Sequence, residues 1–134
     1  MISDEQQAEL RKRFNPDGTA LRQMQLKMVE MLEYFDNICK QHDIKYWLSS
    51  GTLLGAVRHG GFIPWDDDLD VEMFPEDYKK MCKVFSALQS DDYALQIQAT
   101  DPLFYRSCAK LRDKHSYLED TYCYDLNFKY RGIF

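Results

Sequence analysis

Apolar side chains recur at steps of three and four from Leu21 through Met24, Met28, Met31, Leu32, Phe35, Ile38 and Cys39. Only an α-helix puts that spacing on one face, and a face so long has to be covered by the rest of the chain. The helix is expected to start near Ala20, with Thr19 as its cap, and to run to about His42. Asn15-Pro16-Asp17-Gly18 marks a turn before it. Methionines on such a stripe fill gaps in a core more often than they line a cofactor site. Residues 1–18 read as an arm or short helix, and residues 19–134 as one domain of mixed α/β class.

The elements that follow are shorter. Ile44 to Leu48 reads as a strand. Ser49-Ser50-Gly51-Thr52 then reads as a tight turn into a helix capped by Ser50 or Thr52 and ended by Gly60-Gly61. Pro64 takes Ile63 out of helix. Asp66 to Met73 alternates acid and apolar residues, as a strand does. Pro75 fits the first turn of a helix whose buried face is Tyr78, Met81, Cys82, Phe85 and Leu88. Tyr93–Ala99, Tyr105–Arg112 and Asn127–Phe134 read as further strands, with a charged turn at Asp113-Lys114-His115.

Charge and cysteine usage exclude several classes. Asp plus Glu outnumber Lys plus Arg by 22 to 17, a net charge of −5, so a broad electrostatic grip on nucleic acid is not expected. The start, Met1-Ile2-Ser3-Asp4-Glu5, is too polar for a signal peptide, and no apolar run is long enough for a bilayer span. Cys39, Cys82, Cys108 and Cys123 are too scattered for a zinc site or a disulfide framework. They read as buried, reduced thiols in a cytoplasmic protein, with the inner face of the membrane as the other possible location.

The chemistry-bearing stretch is Asp66-Asp67-Asp68-Leu69-Asp70-Val71-Glu72. In a strand, Asp68, Asp70 and Glu72 share one face, with Asp66 if the strand extends back, while Leu69, Val71 and Met73 face the core. Carboxylates gathered so repel one another, and a hard divalent cation such as Mg²⁺ or Mn²⁺ resolves the conflict. A solvated edge strand is the plainer alternative. An EF-hand is rejected, because Val71 stands where its loop needs Gly. Upstream, the amides at the Ser50-Gly51-Thr52 helix start suit phosphate. Arg58 could reach a phosphate or pair with a neighbouring acid. His59 reads better as a helix-end residue than as a base. Trp65 could stack on a base or choline group, or pack beneath the acidic strand. Lys110 and Arg112 read as a solvated basic face.

The run from Tyr46 to Val71, with Ser49-Ser50-Gly51-Thr52-Leu53-Leu54-Gly55-Ala56-Val57-Arg58-His59-Gly60-Gly61-Phe62-Ile63-Pro64-Trp65-Asp66-Asp67-Asp68-Leu69-Asp70 inside it, resembles the LicD family, which includes phosphocholine transferases and the domain of fukutin-related protein. The resemblance runs from about residue 20 to the end. It implies a nucleotidyltransferase-like mixed sheet flanked by helices. It further implies metal-dependent transfer of a phospho-alcohol from a CDP-linked donor to a glycan hydroxyl in cell-surface polysaccharide modification. By that likeness Ser50, Gly51 and Thr52 occupy the phosphate-side turn. Asp68 and Asp70 occupy the metal positions, Asp66 is an adjacent acid, and Arg58 and His59 match the family's Arg-His pair.

In the family the strand resembling Arg131-Gly132-Ile133-Phe134 continues into a further Asp that completes the metal site. The chain stops before it, and its apolar end points to truncation. Two alternatives follow: a non-catalytic module of the same fold that binds nucleotide or a partner, and a nucleotidyltransferase acting on an alcohol phosphate. Candidate bases for the acceptor hydroxyl are Asp66, the later acid and, less suitably, His59.

Overall fold

The computed structural model describes residues 2–118 and 127–134. Cys123 lies outside them. The described elements run α1 (Asp4–Phe14), α2 (Ala20–Gln41), β1 (Trp47–Leu48), α3 (Ser50–His59), β2 (Val71–Glu72), α4 (Pro75–Ala87), β3 (Tyr93–Gln96) and β4 (Lys110–Asp113). Helices and antiparallel strand pairs together make a mixed α/β fold, as expected.

The helix ends follow local chemistry. Ser3 and Gln6 form a reciprocal capping box at the start of α1. The Thr19 side chain accepts from the Arg22 amide at the start of α2. Gly60, at φ +67°, closes α3 in the left-handed conformation, and Pro75 opens α4. The cap of α3 differs from expectation. Ser49 holds that position, and neither Ser50 nor Thr52 caps the helix.

The stripe on α2 buries Met28, Met31, Phe35, Ile38 and Cys39, as its spacing predicts. Phe35, Ile38 and Cys39 pack with Ile44, Met81, Phe85 and Leu95 in one core cluster. The Phe35 and Phe85 rings are 5.2 Å apart. Burial pushes the Cys39 thiol up to about 12, so it is inert packing material. Cys108, by contrast, is exposed. The same stripe buries one residue that hydrophobic spacing does not predict, Gln25.

The strands are shorter than the sequence suggests. The Ile44–Leu48 strand contracts to Trp47–Leu48, and the Asp66–Met73 strand to Val71–Glu72; the two pair antiparallel with Leu48 opposite Val71. Residues 66–70 are not strand, because a turn at Pro64-Trp65 and a bond from the Asp70 amide to Thr52 divert them. β3 pairs antiparallel with β4, Tyr93 opposite Asp113. Residues 105–109 are not strand. Residues 127–134 form no regular strand, yet Ile133 accepts from the Asp113 amide and Arg131 from the Leu118 amide, which lays the segment beside β4. Arg112 is buried, not part of a solvated basic face. A cleft of about 690 Å³ opens between α2, β2, α4 and β4, with Leu69, Val71, Met73 and Leu111 on its walls.

Candidate active site

The acidic segment is fastened at one end to the start of α3 and at the other to the turn that follows the helix. Past the β1–β2 pair, the Ser49 amide donates to the Asp70 carbonyl at 3.1 Å. The Asp70 amide donates to Thr52 Oγ1 at 2.9 Å. At the other end, the Asp66 amide donates to the Ile63 carbonyl at 3.0 Å, closing a turn with Pro64 at its second position. Ser50, the first residue of α3, sits at φ +49°, a strained value for a residue with a side chain.

Gly51 explains why this corner needs a glycine. A Cβ there would lie 2.7 Å from Asp66 Oδ2. The Asp66 carboxylate therefore rests directly on the first turn of α3, where the helix presents amides without intrahelical partners. Asp66 Oδ2 is itself buried and has no hydrogen-bond partner.

Asp66, Asp67 and Asp68 each bring a carboxylate oxygen within 4.8 Å of the others. Burial is the main cause that raises the Asp66 carboxyl above its ordinary value, followed by the charges of Asp67 and Asp70. Asp68 is raised by burial, then by Asp70, Asp66 and Asp67, with Lys110 acting the other way. So Asp70 belongs to the same electrostatic group, but the three oxygens that meet come from consecutive residues. Strand alternation assigns Asp67 to the opposite face and misses it. The turn-forming Pro64-Trp65 just before the acids was the signal against a regular strand there.

Of the other sequence candidates, Ser50, Gly51 and Thr52 lie at this corner. Arg58 does not. It sits eight residues along α3, about 12 Å from Ser50 at the usual helical rise. Its Nε donates to His59 Nε2 at 2.8 Å, and its carbonyl accepts from the Ile2 amide. His59 Nδ1 meets Gln7 Oε1 at 2.5 Å, so the ring is a neutral donor–acceptor link between α1 and α3. Burial, then the charge of Arg58, lower its pKa, in keeping with that tautomer. Trp65 is 51% exposed, with its ring 5.2 Å from Phe14 and 6.3 Å from His59. Glu72 accepts from Trp47 Nε1 at 3.3 Å.

The arrangement is a set of oxygen donors beside a helix start. Residues 43–120, more than half of the chain, match the family described as LicD/FKTN/FKRP, nucleotidyltransferase domain. The chain belongs to the LicD family. Over 76 residues it is 42% identical to "Lipopolysaccharide cholinephosphotransferase LicD" of Haemophilus influenzae, covering 57% of this chain and 29% of that protein. Over 48 residues it is 44% identical to human "Ribitol 5-phosphate transferase FKRP", covering 36% of this chain and 10% of that one. Over 52 residues it is 36% identical to "Mannosyltransferase regulator 4" of Saccharomyces cerevisiae, covering 39% of this chain and 4% of that one. The chain thus spans less than a third of the length of these relatives. No solved structure matches it. No helix among the described residues is long and apolar enough to cross a membrane.

Proposed function

We propose that this chain carries the donor-binding and metal-binding part of a transferase that moves a phospho-alcohol, phosphocholine or a similar group, from a CDP-linked donor to a glycan hydroxyl. The observation that carries the proposal is the acidic corner, where three carboxylates meet and one buried oxygen has no partner. Crowded oxygen donors with raised proton affinity suit a hard divalent ion, Mg²⁺ or Mn²⁺. Asp66, Asp67 and Asp68 would hold it, with Asp70 adding its charge. When bound, such an ion neutralises charge on a diphosphate as the bond to the leaving nucleotide breaks.

The protein's own groups have distinct parts. The first-turn amides of α3, at Gly51 and Thr52, orient phosphate oxygens. The Thr52 hydroxyl holds the backbone of Asp70, so one residue aligns the phosphate turn with the acids. As a ligand of the ion, Asp66 would not also serve as the base for the acceptor's proton, because a bound cation lowers a carboxylate's proton affinity. His59 is not that base, since both its nitrogens are engaged at the far end of α3.

A thermal melt of this chain with Mn²⁺, with CDP-choline and with both tests the reading. A ligand at a hundred times its dissociation constant adds about 2.7 kcal/mol, or roughly 5–15 °C for a domain near this size. A shift with Mn²⁺ that CDP-choline enlarges, and that is lost in Asp66→Asn and Asp68→Asn, is expected. An equal shift in those variants would overturn the metal assignment. The similarity to a yeast protein named as a regulator favours a second reading, a binding module without turnover. Donor binding without CMP release in a preparation extended to the length of the relatives would support it.

A further inference from the structure

Gln25 is the one amide in the buried stripe of α2, and it is 1% exposed. Its Nε2 donates to the carbonyls of Asp66 at 2.8 Å, Ile63 at 3.3 Å and Pro64 at 3.5 Å. Its Oε1 accepts from Asn15 Nδ2 at 3.0 Å and from Arg22 Nη1 at 3.2 Å. Donors on one side and carbonyls on the other fix which end of the amide is which. Asn15 is also 1% exposed, and its Oδ1 accepts from Thr19 Oγ1 at 2.6 Å. A continuous polar chain therefore runs from the N-cap of α2, through the Asn15-Pro16 turn, to the turn that carries the acids.

A buried amide in an apolar stripe is costly unless it is bonded. Here it is fully bonded, and the carbonyls it donates to all belong to one tight turn. That turn has a single internal backbone bond, from the Asp66 amide to Ile63. Gln25 grips the same turn at Ile63, Pro64 and Asp66, while Gly51, with no Cβ, leaves room for the Asp66 carboxylate against α3. The grip on these carbonyls holds the backbone from which Asp66 departs.

We propose that Gln25, oriented by Asn15, is a positioning residue that holds the Ile63–Asp66 turn so that the carboxylates of Asp66 and Asp67 meet that of Asp68. The proposal rests on the reading of this corner as a cation site, and it takes no part in the chemistry itself.

The test combines amide hydrogen exchange with Mn²⁺ binding followed by electron paramagnetic resonance. Gln25→Met keeps the length and packing of the side chain but has no donor. Exchange at the Asp66 amide is expected to quicken at least tenfold while the amides of β3 and β4 keep their protection. Mn²⁺ is expected to bind at least tenfold more weakly to the folded variant. A purely structural role would move the melting point and leave the affinity of the folded protein unchanged, and that result would overturn the proposal. Asn15→Ala is the second variant, expected to fall between wild type and Gln25→Met. If neither variant folds, the chain of bonds is a folding element and the positioning role is overturned. Asp66→Asn separates the two readings. If wild type binds Mn²⁺ no better than Asp66→Asn does, the cation reading fails. The exchange at Asp66 then decides for Gln25: quickened exchange upholds its grip on the turn, and unchanged exchange removes it.

Discussion

Asp66 and Asp68 both hold their protons more tightly in the folded chain than in the unfolded one, chiefly through burial and then through neighbouring acids. The sign of the linkage follows. A raised acid contributes stability that is fully present below the ordinary aspartate range and is lost as pH rises through the folded value. With divalent ions chelated, the melting temperature should therefore lose these groups' contribution as pH rises from the ordinary aspartate range, about 4, through their raised folded values. Asp66→Asn should flatten that fall and melt higher than wild type at neutral pH. Mn²⁺ should stabilise wild type most at the high end of the range, because it competes with protons for the same oxygens. Scanning calorimetry across pH with EDTA or Mn²⁺ measures this; parallel profiles for wild type and Asp66→Asn would remove the linkage. The repulsion among these acids was legible from their spacing alone. Asp67 was not, because its part depends on a bend that abolishes strand alternation. Gln25 was equally hidden, since one polar residue beside Met24 gives no sign of which carbonyls it will meet.

At the scale of elements, α3 joins two close approaches that its glycines permit for different reasons. A Cβ on Gly55 would lie 2.5 Å from the Gly61 carbonyl oxygen and 3.0 Å from the Ile63 nitrogen. Both obstacles are backbone, so Gly55→Ala should destabilise by about 1–3 kcal/mol even though Ala favours helix by about 1 kcal/mol. At Gly51 the obstacle is the Asp66 carboxylate, which can swing away. Gly51→Ala should thus cost little stability and weaken Mn²⁺ binding at least tenfold. Urea midpoints and Mn²⁺ titrations of both variants check the contrast; wild-type Mn²⁺ affinity in Gly51→Ala would mean that Asp66 is not needed at that position. Helices of this chain were readable in advance because their signals are local. Thr19, Pro75 and Gly60 each act within one turn of themselves. Strand length is set by a partner elsewhere in the chain, so Ile44 to Leu48 and Asp66 to Met73 could suggest strands without revealing that only two residues of each would pair.

At the scale of the molecule, the β3–β4 hairpin and the final residues are held together by a polar network of long sequence separation. Arg112 Nε donates to Gln96 Oε1 at 2.7 Å, and Nη1 donates to the Gly132 carbonyl at 2.8 Å. Gln96 Nε2 donates to Asp101 Oδ2 at 2.7 Å and to the Tyr130 carbonyl at 3.1 Å. Asp101 Oδ2 also accepts from the Lys129 amide at 2.8 Å. Backbone packing adds a strict steric condition, since a Cβ on Gly132 would lie 1.7 Å from the Asp113 carbonyl oxygen. Nothing in the alternation of Lys110 and Arg112 announces this, because the acceptors lie sixteen and twenty residues away. Arg112→Met leaves a buried amide and a buried carbonyl without their donor and should cost about 2–4 kcal/mol. Gly132→Ala should cost a similar amount by lifting residues 127–134 off β4. Each substitution breaks the same docking, so the double variant should lose at least ~1 kcal/mol less than the sum of the single losses. Urea melts of the four proteins give the cycle, and trypsin cleavage after Arg131 should quicken in all three variants alike. Additive losses would mean that the arginine and the glycine act on separate parts of the fold, and that the last eight residues are not one docked unit.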